Sequence, residues 1–361
     1  MYDYLIVGCG LFGATFANQA KQKGKKCLII DSRDHIAGNC YTENKENINI
    51  HKYGPHIFHT NNEEIWNYIN KFAKFNTFTN RPKVNFKNKI YSFPINLLTM
   101  YQLWGVNSPV EAQIKLDQVK VKIENPKNLE EWILSQVGEE IYYTFIYGYT
   151  KKQWGTEPKN LPTFIIKRLP IRLNYDDNYY FDKYQGIPIG GYTQMIENMV
   201  EGVDVLTNED YFKRRDYWNT KAKTLVFTGK IDEFYNYKYG ELEYRSLRFE
   251  IEKHNRKDYQ GIAQMNFTDE NVPFTRIIEH KHFEFGEQEY TYITKEYPDV
   301  WNKNKIPYYP INNDKNNEIF KKYKELDTSR NLIFGGRLAE YKYYDMHQII
   351  GSAINKAKSI D

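Results

Sequence analysis

Tyr2-Asp3-Tyr4-Leu5-Ile6-Val7-Gly8-Cys9-Gly10-Leu11-Phe12-Gly13 is the stretch whose reading decides the fold. It is an apolar strand running into a G-x-G-x-x-G turn. A helical run follows, then a second apolar strand, Cys27-Leu28-Ile29-Ile30, with Asp31 at its end. Each part has a physical task. Gly8 makes the tight turn, Gly10 lets the backbone approach a pyrophosphate, and Gly13 lets helix and strand pack closely. The helix N-terminus offers N–H groups and partial positive charge to phosphates. Asp31 stands about 20 residues past the turn, where a carboxylate can bond a ribose hydroxyl. Glycines alone would also fit a tight turn in another α/β unit. With strand, helix and acid in this order they predict dinucleotide binding. They name a cofactor class and not a reaction.

The 361 residues leave room for about two or three domains and a large core. Hydrophobic residues at 41%, including 32 tyrosines, exclude a disordered chain. Fifty basic residues against 46 acidic ones leave a net charge of +4, too balanced to argue for nucleic acid. No run approaches the about 18 apolar residues of a membrane span, and the start reads as a strand carrying Asp3 rather than as a signal peptide. Cys9, Cys27 and Cys40, an odd count without C-x-x-C spacing, predict reduced thiols and a cytoplasmic protein. Cys9 reads as a small filler of the turn.

Thr60 and Glu63 predict a capping box and a helix over residues 63–72. Residues 76–80, 83–86 and 90–93 read as a β ribbon closed by Pro94. Ser108-Pro109 and Asn128 each predict a helix start, and residues 139–147 a third helix. Val203-Asp204-Val205-Leu206 and Thr224-Leu225-Val226-Phe227 have the near-continuous apolar character of parallel strands. Residues 242–294 alternate as antiparallel strands do. Asn331-Leu332-Ile333-Phe334-Gly335-Gly336-Arg337 is a strand and turn, before a helix predicted from Asp345 to Lys358. The expected fold is α/β: a discontinuous Rossmann-type domain over 1–75, 190–231 and 325–361, a helical domain over 96–150, and an antiparallel β-sheet domain over 76–95, 151–189 and 232–324.

Two further features carry chemistry. Gly335-Gly336-Arg337 permits close approach of a flat ligand, and the helix opened by Asp345 would stabilise negative charge at a flavin's pyrimidine edge. A plain strand-to-helix turn reads the same way. Arg168 and Arg276 are candidate phosphate forks, with Tyr149, Tyr179, Tyr180, Tyr308 and Tyr309 as candidate stacking or phosphate-bonding groups; most arginines and tyrosines are surface or packing residues. His280 and His282 share one face of an expected strand, without the further Cys, His or acid of a metal site. His56 and His59 follow a Gly54-Pro55 turn and are equally consistent with ligand contact or with plain structure.

The chain resembles bacterial UDP-galactopyranose mutase over essentially its whole length. The resemblance lies in Gly8 to Gly13, in Tyr53-Gly54-Pro55-His56-Ile57-Phe58-His59-Thr60, in Tyr149-Thr150-Lys151-Lys152-Gln153-Trp154-Gly155, in Lys167-Arg168-Leu169-Pro170 with Tyr175 to Phe181, and in Gly335 to Met346. It implies FAD, bound non-covalently and active when reduced, and an isomerase that interconverts UDP-galactopyranose and UDP-galactofuranose through a flavin N5–sugar adduct. The UDP-N-acetylgalactosamine pair is a further candidate. It implies Arg168 and Arg276 as catalytic stabilisers of the departing UDP, with Arg168 on a lid bracketed by Pro162 and Pro170. Asn80, Tyr149, Thr150, Trp154, Tyr179, Tyr309 and Tyr343 would bind substrate, Tyr308 being able to replace Tyr309. Gly8, Gly10, Phe12, Gly13, Asp31, Asn39, His56, His59, Gly336, Arg337, Asp345 and Met346 would hold the cofactor. No metal and no nucleic acid are expected; a homodimer is. Ala37 and Asp31 depart conservatively from the family's glycine and glutamate, and His59 is the first suspect for choice of sugar. A flavin amine oxidase shares the fold class, but has little call for paired arginines that bind diphosphate. A nicotinamide dehydrogenase is disfavoured by the Gly335-Gly336-Arg337 segment, and a non-catalytic sugar-nucleotide binder would need no flavin.

Overall fold

The computed structural model describes residues 1–163, 171–326 and 331–360. They form two compact units. The first comprises Met1–Phe78, Asp182–Ser246 and Trp301–Asp361; the second comprises Thr79–Phe181 and Leu247–Val300.

The first unit is built on a parallel sheet ordered Leu332–Phe334, Ala222–Phe227, Tyr2–Val7, Cys27–Ile30, Asp204–Leu206. Apolar strands collected from three distant segments therefore lie side by side, as their composition demands. The helix Leu11–Gln22 covers one face and packs on the helix Met346–Lys358. Ile350, Ala353 and Ala357 are buried on the latter, at spacings of three and four. Asp345 caps that helix in a capping box with Gln348. The opposite face is filled by Leu28, Ile30, Tyr211, Trp218, Phe227, Phe234 and their neighbours.

The helix after Thr60 begins later than its predicted box. Asn62, not Thr60, is the cap, accepting from the Ile65 N–H at 3.1 Å over Glu63–Ile69. The Thr60 hydroxyl instead accepts from the Asn62 N–H at 3.0 Å, at the end of the strand Phe58–Thr60.

The second unit holds a sheet ordered Tyr244–His254, Thr291–Asp299, Arg276–Glu279, Gln264–Phe267, Lys83–Phe86, Lys89–Ser92. The first three residues of Tyr244–His254 belong to the first unit, where Tyr244 and Arg245 pair with Pro310 and Tyr309. One pairing in the sheet, Gln264–Phe267 with Lys83–Phe86, is parallel, which alternation alone could not reveal. Residues 76–80 are not a strand: the Asn76 side chain accepts from the N–H groups of Phe78 and Ile187, which turns the chain. The helices Leu97–Trp104, Pro109–Val119 and Leu129–Ile141 pack a core of Leu116, Leu129, Ile133, Ile141, Tyr142 and Phe145. The helical path then continues as a π-helical turn, Tyr142–Tyr147, and a helix, Gly148–Trp154, ended by Gly155 at φ 66°. Among the described residues no helix is long and apolar enough to cross a membrane.

Candidate functional site

The glycine turn of the first unit is a cradle that leaves no room for a Cβ at Gly8 or Gly13. Gly8 has φ 105°, and a Cβ there would lie 2.1 Å from Thr228 Oγ1. A Cβ on Gly13 would lie 2.0 Å from the Gly8 carbonyl, so the helix seats directly on the turn. Gly10 ends in front of the helix and faces Gly38, whose own Cβ would come within 3.1 Å of Gly10 Cα. The second glycine thus opens backbone on two adjacent loops at once.

Asp31 has a role that spacing did not disclose. It is buried, and its Oδ2 accepts from the Cys9 N–H at 2.8 Å while Oδ1 accepts from the Arg33 N–H at 3.0 Å. The carboxylate braces the glycine turn itself. Arg33, which sequence reasoning missed, donates Nη2 to Asn39 Oδ1 at 2.8 Å and lies 4.6 Å over the Tyr53 ring. Its Nη1 is buried without a hydrogen-bond partner among the described residues. A basic residue two places after the strand-end acid was the available signal.

Phe12 is core: its ring is stacked on Phe16, and a Cβ on Gly335 would fall 2.0 Å from it. The ring therefore sets the identity of Gly335, and only the backbone of Phe12 is left for a ligand. Gly336, at φ 84°, donates its N–H to Glu340 Oε2 at 3.1 Å. Arg337 is more scaffold than expected. Its Nη1 donates to the Tyr308 carbonyl at 2.9 Å and its Nη2 to the Tyr344 carbonyl at 2.7 Å, while Nε is buried without a partner among the described residues. It thereby fixes two stretches of backbone that carry Tyr309 and Tyr343. Those rings stack at 5.2 Å, each 5.7 Å from the guanidinium. Tyr308 is buried and Tyr309 half-exposed, so of the two neighbours Tyr309 offers its ring and hydroxyl.

Near the cap of Met346–Lys358, His59, Asp345 and His347 each place one polar atom within 4.8 Å of the others. His59 Nδ1 pairs with Asp182, which also accepts from Asn61. Burial, and then the neighbouring His59, lower the pKa of His347. His56 Nδ1 meets the Gly54 carbonyl at 2.9 Å. Met346 is buried, its sulfur 3.8 Å from Cys40 Sγ.

In the second unit, Tyr149, Thr150 and Trp154 share the helix Gly148–Trp154, half-buried except for the buried Thr150. Buried Asn80 accepts at its carbonyl from the Tyr179 N–H at 2.8 Å, and Tyr179 is exposed. Arg276 is held by Glu296, directly across the ladder: Nε and Nη2 each lie 2.8 Å from its carboxylate oxygens. Glu296 is buried, so its charge requires this partner. Lys152 donates to four backbone carbonyls of residues 267–274. Burial pulls its pKa down to about 8, against the Asp269 carboxylate, which favours the ammonium. Arg168 lies outside the described residues.

The expected strand pair His280 and His282 is instead a 3₁₀ turn, His280–Glu284, and acids do stand beside it. Asp258, Glu279 and His282 converge. Glu279 is already taken by the N–H groups of Tyr259, Gln260 and Gly261, and the Lys281 ammonium lies 3.6 Å from Asp258. The arrangement fastens a loop.

A family model described as UDP-galactopyranose mutase matches residues 144–343, and one described as an NAD(P)-binding Rossmann-like domain matches residues 6–72. A dTDP-fucopyranose mutase of Escherichia coli is 44% identical over 99% of this chain and 98% of that relative. A probable UDP-galactopyranose mutase of Klebsiella pneumoniae is 41% identical over 98% and 94%. The chain belongs to the UDP-galactopyranose mutase family. A crystal structure of reduced UDP-galactopyranose mutase shares the fold, with TM-score 0.77 at 15% identity over 99% of this chain and 93% of that one. As a member of the family the chain is an enzyme, a mutase. The family model spans the helix Gly148–Trp154, Arg276 and the Tyr309–Tyr343 stack, while the Rossmann-like model covers the glycine cradle.

Proposed function

We propose that this mutase interconverts the pyranose and furanose forms of a nucleotide-linked galactose, with FAD held non-covalently on the first unit. The observation that carries the reading is Arg276, held to the buried Glu296 by a hydrogen bond from Nε and an ion-pair contact at Nη2. A guanidinium so fixed is suited to the diphosphate charge that grows as a nucleoside diphosphate leaves the anomeric carbon.

The first unit fits the cofactor. Gly8 tolerates no Cβ, Gly10 and Gly38 bring bare backbone together, and Arg33 Nη1 and Arg337 Nε are buried polar atoms without partners among the described residues. The N–H groups opening Leu11–Gln22 would face the pyrophosphate, and the positive end of Met346–Lys358 would stabilise an anionic ring edge. The reduced flavin would supply an electron-rich N5 as nucleophile toward the sugar's anomeric carbon. The chain's own residues would do the rest. On the first unit Tyr309 and Tyr343, aligned by Arg337, are diphosphate-bonding groups; on the second, Tyr179 and Arg276 have the same proposed task of retaining the diphosphate for return. Tyr149 would stack on the base, with Trp154 beside the sugar nucleotide.

The relative at 44% identity supports a second reading of the substrate, dTDP-fucopyranose, with the same reaction and the same residues. One experiment tests both. Purified protein is mixed separately with UDP-galactopyranose, UDP-N-acetylgalactosamine and dTDP-fucopyranose, with and without dithionite, and products are resolved by anion exchange. Furanose product from UDP-galactopyranose under reduction is the expected result. Product from dTDP-fucopyranose alone selects the second reading. No furanose from any of them sinks the mutase assignment, and equal product from fully oxidised enzyme sinks the nucleophile role.

A further inference from the structure

We propose that Lys152 is a positioning residue, fastening the loop that leads into Arg276 to the helix that carries Tyr149 and Trp154. This rests on the function proposed above, which makes those residues the diphosphate and base contacts.

The Lys152 ammonium donates to the carbonyls of Phe267, Asp269, Val272 and Phe274, at 2.8, 2.8, 2.9 and 2.9 Å. These carbonyls span the connection between the strands Gln264–Phe267 and Arg276–Glu279. Four carbonyl dipoles aimed at one point repel each other unless a cation sits among them. An ammonium has only three N–H groups, so the set is shared and leaves no donor idle. The contact is reinforced on both sides. Gly148 sits so close that a Cβ would lie 2.2 Å from the Thr268 carbonyl. The Thr268 hydroxyl donates to the Thr144 carbonyl at 2.5 Å. Lys151 reaches the same loop, pairing with Glu270 at 3.0 Å as well as with Glu157 at 2.8 Å. At the far end of the loop the Thr275 N–H donates to the Glu296 carbonyl at 2.9 Å, from the residue that grips Arg276. A chain of direct contacts therefore runs from the Tyr149 helix through Lys152 and the loop to Arg276. Lys152 touches no reacting group in this scheme. It keeps one spacing between the groups proposed to hold base and diphosphate.

Lys152→Met keeps the volume and strands four carbonyls. Titrated with UDP by calorimetry, it is expected to bind about tenfold or more weakly than wild type, with unchanged flavin absorbance per chain. In a double-mutant cycle, its effect and that of Arg276→Lys on UDP affinity are expected to be non-additive. A residue serving stability alone would lower the melting temperature and leave the two effects additive. Should Lys152→Met fail to fold, Lys152→Ala titrated with ethylammonium chloride is the second arm. Recovery of UDP affinity with ethylammonium, and none with the bulkier tetraethylammonium, supports the proposal. Folded Lys152→Met with wild-type UDP affinity overturns it, as do additive effects in the cycle, or a folded Lys152→Ala that ethylammonium does not restore. Failure of wild type to bind either UDP or dTDP would instead strike the functional reading.

Discussion

Glu296 determines what Arg276 can do. Its carboxylate is buried and meets Nε and Nη2 at 2.8 Å each, which fixes the plane of the guanidinium. Glu296→Gln keeps the shape and removes the charge, leaving one of the two forks unmatched. Turnover per flavin is expected to fall by about ten- to a hundredfold, the cost of a misaimed charge-assisted contact. Steady-state kinetics at saturating reductant measure it, and wild-type kcat/KM would dismiss the positioning argument. Gly8→Ala is the harsher change. At φ 105° and with Thr228 Oγ1 2.1 Å from the new Cβ, the turn must move. The expected outcome is protein purified with little bound flavin, read from its visible spectrum; a normal flavin complement would show that the cradle tolerates the shift. The glycines were legible in the sequence because their constraint is local and their spacing short. Glu296 was not, because its meaning depends on a ladder register that pairs residue 276 with residue 296. Asp31 was legible as an important acid, yet its bond to the Cys9 N–H depends on how the turn folds back over the strand end.

At the scale of elements, caps and apolar periodicity were readable. Asp345, Asn128 and Ser108 open helices where their spacing places them. Thr60 lost its capping role to Asn62 because its own hydroxyl, at the end of a strand, accepts from the Asn62 N–H. The 3₁₀ turn at His280–Glu284 was hidden because its cause is Glu279, which gathers N–H groups from a loop about 20 residues earlier. Burial would raise the pKa of that carboxyl, but His282 and the backbone N–H groups win and lower it to about 2. Its folded pKa lies below the unfolded one, so the carboxylate stabilises the folded state fully above about pH 4.5. That contribution, on the order of 3 kcal/mol, is lost as pH falls from there through about 2. Glu279→Gln is therefore expected to be destabilised at neutral pH and to show a shallower loss of stability on acidification. Urea unfolding at pH 7, 5 and 3 checks it; parallel curves for variant and wild type would contradict the clamp.

At the scale of the molecule, two units with separate cores divide the labour proposed here. The glycine cradle, Arg33 and the capped helix Met346–Lys358 belong to the first; Arg276, Glu296 and the Tyr149 helix belong to the second. The discontinuous Rossmann-type unit was foreseeable because parallel-type apolar runs recur at residues 203–206, 224–227 and 331–334, far from the opening motif. A ligand stabilises only the folded surface it binds, by an amount set by its concentration over its Kd. Damage to one unit's site should then spare the other ligand's signature. Arg276→Ala leaves every cradle residue in place. It is expected to keep its yellow cofactor and flavin-dependent thermal stabilisation, while UDP no longer raises its melting temperature and turnover falls by at least about a hundredfold. Visible spectroscopy, calorimetry with and without UDP, and product assay on one preparation give all three readings. Turnover equal to wild type would remove Arg276 from the reaction. Loss of flavin together with turnover would mean that Arg276 supports the first unit rather than the departing diphosphate.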